Sequence, residues 1–183
     1  DVRGKAEGKS VSALLGGLRP RVPAYASGAL LRQHPADYLA KAGPRLVGMG
    51  FRQMKMQCGS EATASGSVER VRVMREAIGP DIDLMCDINQ LWSVNQAIEI
   101  GKRIEPYHLF WLEDPVPAEL QEGFRTIRQH TTTPIAVGEV FDSVYDCYRL
   151  IQEQLIDYIR SSIVHAGGLT HLRRLPERLH RHR

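Results

Sequence analysis

The sequence predicts an α/β fold of repeated βα units carrying a parallel sheet. Three observations support this. From Arg21 onward, short β-rich apolar runs alternate with longer segments of helical period. The repeat is roughly 25 to 30 residues long, which suits a β/α barrel or an open doubly wound sheet. An acidic residue closes each of three consecutive apolar runs, at Asp87, Glu113 and Glu139.

The runs expected as strands are residues 22–27, 51–57, 84–89, 109–114, 135–139 and 158–164. Before them, residues 1–17 read as one amphipathic helix ending at Gly16-Gly17. The gap 28–50 must hold a first crossover helix, expected over 35–43. A second, over 67–79, presents Val68, Val71, Val73, Met74 and Ile78 on one face, with Ser67 as N-cap and Gly79-Pro80 as its stop. The segment 93–105 repeats the pattern with Ala97, Ile98, Gly101 and Ile104, again opened by a serine. Helices are also expected over 120–130, carrying Phe124 and Ile127, and over 144–155, carrying Tyr148, Leu150, Ile151 and Leu155. A last helix starts at Leu169, is cut by Pro176 and passes into an Arg/His-rich tail.

Composition narrows the function classes. The 183 residues are 43% hydrophobic and 25% charged, ordinary values for a soluble globular protein. No apolar run is long enough for a membrane span, and the first residues lack the apolar core of a secretory signal, so a cytoplasmic setting is expected. The net charge of +3 resides in the tail: residues 171–183 hold five arginines against one glutamate, and without them the balance is 19 minus 20. No basic stripe interleaved with aromatics runs along the body, so neither nucleic acid nor membrane is an expected partner. Cys58, Cys86 and Cys147 form an odd set without CxxC spacing, expected as free, mostly buried thiols. The glycine pairs Gly16-Gly17 and Gly167-Gly168 match no dinucleotide or P-loop fingerprint. Trp92 and Trp111 are expected in the core or the wall of the sheet rather than as substrate platforms.

The acids are the informative feature. Their separations are equal, 113 − 87 = 26 and 139 − 113 = 26, one βα unit each. Equal spacing puts the side chains at one height on neighbouring strand ends, the rim where β/α folds carry function. Singly, each acid could be a helix cap or a surface ion-pair partner. Together they would repel one another unless a cation sat between them. Magnesium suits the set, because it takes near-octahedral oxygen ligands and leaves positions open for water or substrate.

The segments Met54-Lys55-Met56-Gln57, Asp87-Ile88-Asn89-Gln90-Leu91-Trp92, Trp111-Leu112-Glu113-Asp114-Pro115, Gly138-Glu139 and His165-Ala166-Gly167-Gly168-Leu169-Thr170 resemble the mandelate racemase branch of the enolase superfamily. Within it, His130-Thr131-Thr132-Thr133-Pro134, Gly138-Glu139-Val140-Phe141 and Leu155-Ile156-Asp157-Tyr158-Ile159-Arg160 are similar to mannonate and gluconate dehydratases. The resemblance implies a partial (β/α)8 TIM-type barrel of about six βα units, lacking the capping domain and the last two strands. The division expected is an N-terminal helix over 1–20, the partial barrel over 21–175 and a basic tail of doubtful structure over 176–183. The implied metal ligands are Asp87, Glu113 and Glu139, with Mg2+ as cofactor. The implied reaction is acid-sugar dehydration: loss of the proton α to a carboxylate, an enediolate, then loss of the β-hydroxyl. A racemase, epimerase or cycloisomerase of the same superfamily is the alternative, as is a catalytically incompetent fragment with open sheet edges. A small sugar acid is the implied partner, and a homo-oligomer is expected for the intact parent protein.

For proton transfer, Lys55 stands where the family often has the first lysine of Lys-x-Lys; the second position is Gln57. Lys55 can be a base if burial lowers its pKa, can neutralise a substrate carboxylate, or can be a solvated lysine on an alternate strand face. Asn89 stands where mannonate dehydratases carry a histidine; it cannot accept a proton and is left to orient substrate or support the fold. The loop 58–66 is also shorter than theirs and lacks their tyrosine. His165 is the remaining titratable candidate, with a structural role as the alternative. Arg160 is expected to bind an anionic substrate or to pair with a helix carboxylate. The substrate-binding set is therefore Gln57, Asn89 and Arg160, and the catalytic set Lys55 and His165.

Overall fold

Side chains on successive strand residues point to opposite faces, so a parallel sheet covered by helices can keep one face apolar and use the other for chemistry. The computed structural model describes residues 1–17 and 19–179, and shows this division. Five parallel strands lie in sequential order: β1 (Gln53–Gln57), β2 (Asp83–Asp87), β3 (Trp111–Glu113), β4 (Ile135–Val137) and β5 (Tyr158–Ile159). A sequential order without reversal is the winding of a barrel and excludes the doubly wound alternative. Met54, Met56, Leu84, Cys86, Leu112, Ile135 and Val137 occupy one face and join a single buried apolar cluster with the helices. Lys55, Asp87, Trp111 and Glu113 occupy the other.

The helices α3 (Ala36–Gly48), α4 (Ala64–Ile78), α5 (Val94–Ile104), α6 (Gln121–His130) and α7 (Val144–Gln152) alternate with the strands. A 3-10 turn, Glu105–Tyr107, follows α5. Helix α5 opens on the expected Ser93, which forms a full capping box with Gln96. Helix α4 starts earlier than expected: Thr63 accepts from the Gly66 amide as N-cap, while Ser67 is a buried helical residue whose hydroxyl donates to Glu61. The first crossover helix runs past residue 43 to Gly48, with Pro44 inside it. All three cysteines are free and buried.

Several other expectations are corrected. Residues 22–27 form no strand: only Ala26 bridges Met54, because Pro20 and Pro23 bring no amide donor to a ladder. Residues 1–17 are not one helix but two, α1 (Val2–Glu7) and α2 (Val11–Leu14), separated by Gly8 in the left-handed conformation and reopened by a Ser10 cap. The sixth expected strand is cut to Tyr158–Ile159, since the carbonyls of Ser162, Ile163 and Val164 turn to the amides of Ala166, Gly168 and Gly167. Helix α8 (Leu169–Leu179) is continuous across Pro176 rather than cut by it. The expected tail from 180 to 183 lies outside the described residues. No helix among the described residues is long and apolar enough to cross a membrane.

Candidate metal centre

Parallel register brings the first two acids side by side: Gln57 pairs with Asp87, and Asp87 with Glu113. The third arrives differently from the equal-height expectation. Glu113 pairs with Ala136, and Glu139 lies three residues further on, beyond the end of β4. Gly138 makes the turn that returns it. Its φ is +137°, and a Cβ there would stand 2.8 Å from Ile159 Cδ1 and 3.1 Å from the Arg160 carbonyl oxygen, so only glycine fits unstrained. The result is that one carboxylate oxygen from each of Asp87, Glu113 and Glu139 lies within 4.8 Å of the others.

Two cations hold this set together. Lys55 is buried, correcting the solvated-face alternative, and its Nζ donates to Asp87 Oδ2 at 2.9 Å and Glu113 Oε1 at 2.5 Å. Burial pulls the Lys55 pKa down, but the hydrogen bond and charge of Glu113, with Asp87, outweigh it and hold the ammonium above its ordinary value. A lysine serving as base needs the opposite shift. Arg160 places Nη1 2.8 Å from Glu139 Oε2 and Nε 2.7 Å from Glu113 Oε1; the Nε contact is close in charge but lacks hydrogen-bond alignment. Burial disfavours the Arg160 charge, yet Glu113, Tyr25 and Glu139 raise its pKa overall. The expected helix-carboxylate partner for Arg160 is replaced by these two acids of the rim.

The site still carries an excess of negative charge. Burial raises the Glu113 carboxyl against the pull of Lys55. Asp114, buried with φ +40° and an unpartnered Oδ1, is pushed up to about 7 by burial and by Glu113, Asp87 and Glu139. Asp87, Glu113, Glu139 and Asp114 outnumber Lys55 and Arg160, the two cations that touch the clustered acids. An all-oxygen donor set with an orphaned buried oxygen beside it fits a hard cation such as Mg2+.

The remaining candidates divide. Asn89 sits at the same rim: its backbone amide donates to Asp87 Oδ1 at 3.0 Å, and its side-chain oxygen accepts from Arg32 Nη2. Gln57, at the tip of β1, accepts the Arg32 amide at its Oε1, 3.5 Å away. Asn89 and Gln90 have positive φ, 49° and 67°, strained backbone for residues other than glycine at the strand end that carries Asp87. His165 joins none of the acids; its Nδ1 lies 2.8 Å from Asp142 Oδ1 in an exposed pair. Trp92 is buried in the core, while Trp111 lies in the wall and donates its indole N–H to Glu113 Oε2 at 2.9 Å.

Sequence reasoning missed Arg32, Tyr25, Asp142 and Arg70. Tyr25 lies under Lys55, whose Nζ is 5.7 Å from the ring centroid, and meets Trp111 edge-on. Arg70 is buried in α4 and donates to the carbonyls of Gln57, His34 and Leu31. Only Arg70 left a signal: a charge among the apolar residues of an amphipathic helix.

The enolase C-terminal domain-like family matches residues 37–182. A D-mannonate dehydratase of Caulobacter vibrioides is 39% identical over 209 aligned residues, covering 96% of this chain and 51% of that protein, so the chain spans about half of that relative's length. The crystal structure of the 3,6-anhydro-D-galactonate cycloisomerase from Zobellia galactanivorans superposes with a TM-score of 0.89 at 32% identity, covering 100% of this chain and 50% of that one. An L-talarate dehydratase from Polaromonas sp. JS666, complexed with Mg and L-glucarate, gives 0.85 at 28% identity, covering 97% and 50%.

Proposed function

This chain belongs to the enolase C-terminal domain-like family, and from that premise we propose that its acidic rim serves Mg2+-dependent dehydration of a sugar acid. The observation that carries the reading is the approach of Asp87, Glu113 and Glu139 oxygens to within 4.8 Å of one another, flanked by Lys55 and Arg160. These three acids would hold the ion. When bound, Mg2+ supplies positive charge beside the substrate carboxylate, which makes the neighbouring C–H more acidic.

The chain's own groups do the rest. Lys55 and Arg160, both held charged, offset the negative charge that grows on the substrate as its α-proton departs. His165 is the proposed base: Asp142 occupies Nδ1 and fixes the ring, leaving Nε2 without a partner among the described residues to take the proton. The same imidazolium then returns that proton to the β-hydroxyl, which leaves as water, and the resulting enol rearranges to a 2-keto-3-deoxy acid. Gln57 and Asn89 orient hydroxyls of the substrate. Sugar acids incubated with the chain and Mg2+ should yield 2-keto-3-deoxy acids. Epimers or lactones in their place would favour the second reading, an epimerase or cycloisomerase, to which the likeness to the Zobellia enzyme points.

A further inference from the structure

We propose that Arg32 reads the far end of the substrate, so that the site prefers sugar diacids over sugar monoacids. The inference rests on the sugar-acid reading above and specifies its substrate class. Lys55 and Arg160 are both engaged with the clustered acids. Arg32 is a third cation at this rim, half-buried, and no carboxylate pairs with it among the described residues. Its guanidinium meets a single neutral acceptor, Asn89 Oδ1. An arginine is an expensive residue to desolvate without a counter-charge, and its planar fork suits a carboxylate.

Its position is built rather than incidental. The Arg32 amide donates to Gln57 Oε1, and the Gln57 amide donates to the carbonyl of Leu30, which is fully buried. Arg70, itself buried, clamps the carbonyls on both sides, at Leu31 and His34, and ties them to the Gln57 carbonyl at the tip of β1. The segment carrying Arg32 is therefore fixed to the strand that carries Lys55. Asn89 ties the guanidinium to the rim: a single residue separates Asn89 from Asp87, at most about 7 Å between their Cα atoms, and the Asn89 amide bonds to Asp87 itself. A sugar acid with its reacting carboxylate at the acids and its carbon chain running toward Asn89 would bring its far end to Arg32. A second carboxylate there would give the guanidinium the counter-charge the protein does not supply.

The test is calorimetric binding of galactarate and galactonate to the Mg2+-loaded chain, alongside Arg32→Gln and Arg32→Lys. Galactarate is expected to bind roughly 10- to 100-fold more tightly than galactonate, the value of one hydrogen-bonded charge. Arg32→Gln keeps an amide donor for Asn89 but no charge, and should collapse the ratio toward unity; Arg32→Lys should keep part of it. Equal binding of both acids to the parent chain, or a ratio that survives Arg32→Gln, overturns the inference while leaving the sugar-acid reading intact. Binding of Mg2+ with neither acid recognised overturns both.

Discussion

Replacing Lys55 with methionine probes whether the acids of the rim are a charge cluster waiting for a cation. The Lys55, Asp87 and Glu113 side chains are 5%, 3% and 0% exposed, and the two ion pairs measure 2.9 and 2.5 Å. Removing one member of a buried ion pair costs about 3–5 kcal/mol, because the partner is left without its counter-charge. Glu113 keeps Arg160 nearby and the Trp111 indole N–H, and Asp87 keeps the Asn89 amide, so the lower end, about 3 kcal/mol, is expected. With a urea slope of about 1–3 kcal/mol/M, the unfolding midpoint of Lys55→Met in metal-free buffer should fall by about 1–3 M. Saturating Mg2+ should recover much of that loss, since the ion would supply positive charge to the same carboxylates. A midpoint unchanged without metal, or a loss that Mg2+ does not diminish, would refute the reasoning.

Other consequences follow from particular contacts. Gly138→Ala should cost about 1–3 kcal/mol for the backbone and as much again for the collision with Ile159 and Arg160, and should weaken Mg2+ binding by displacing Glu139; thermal unfolding and metal titration measure both. Arg70→Met removes a buried guanidinium that bonds three carbonyls and pairs with Glu61, and should destabilise by about 3 kcal/mol or more, with faster hydrogen exchange of the Arg32 and His34 amides as the local signature. His165→Gln should lower kcat for dehydration by about 10²- to 10⁴-fold while Mg2+ affinity stays unchanged; comparable losses in both would place His165 in the metal site instead.

The strands from Gln53 onward were legible because their apolar residues recur on one face and their ends carry acids. Ala26 was not, since proline chemistry there overrides an apolar run. Asp87 and Glu113 stand side by side by register, as equal spacing implied, but Glu139 reaches the site by the Gly138 turn and not by strand height. Pattern reasoning placed Lys55 on the second expected strand without saying which way it faced; the register settles that by aligning it with Met85 and Trp111, on the face opposite the buried methionines. Arg32 and Tyr25 left no trace in the sequence. Arg32 lies in a segment without periodicity and Tyr25 in a run whose expected strand does not form, and their meeting with Asn89 and Lys55 depends on how the chain ahead of β1 lies against the sheet. His165 was singled out for being titratable, but its partner Asp142 comes from a different loop, a pairing that spacing cannot foretell.

The most direct test of the whole account is calorimetric titration of the chain with Mg2+, repeated for Asp87→Asn, Glu113→Gln and Glu139→Gln. A single saturable site, weakened by each of the three substitutions, is the predicted result. Absence of binding, or binding that none of them alters, would contradict the claim that these oxygens share one ion.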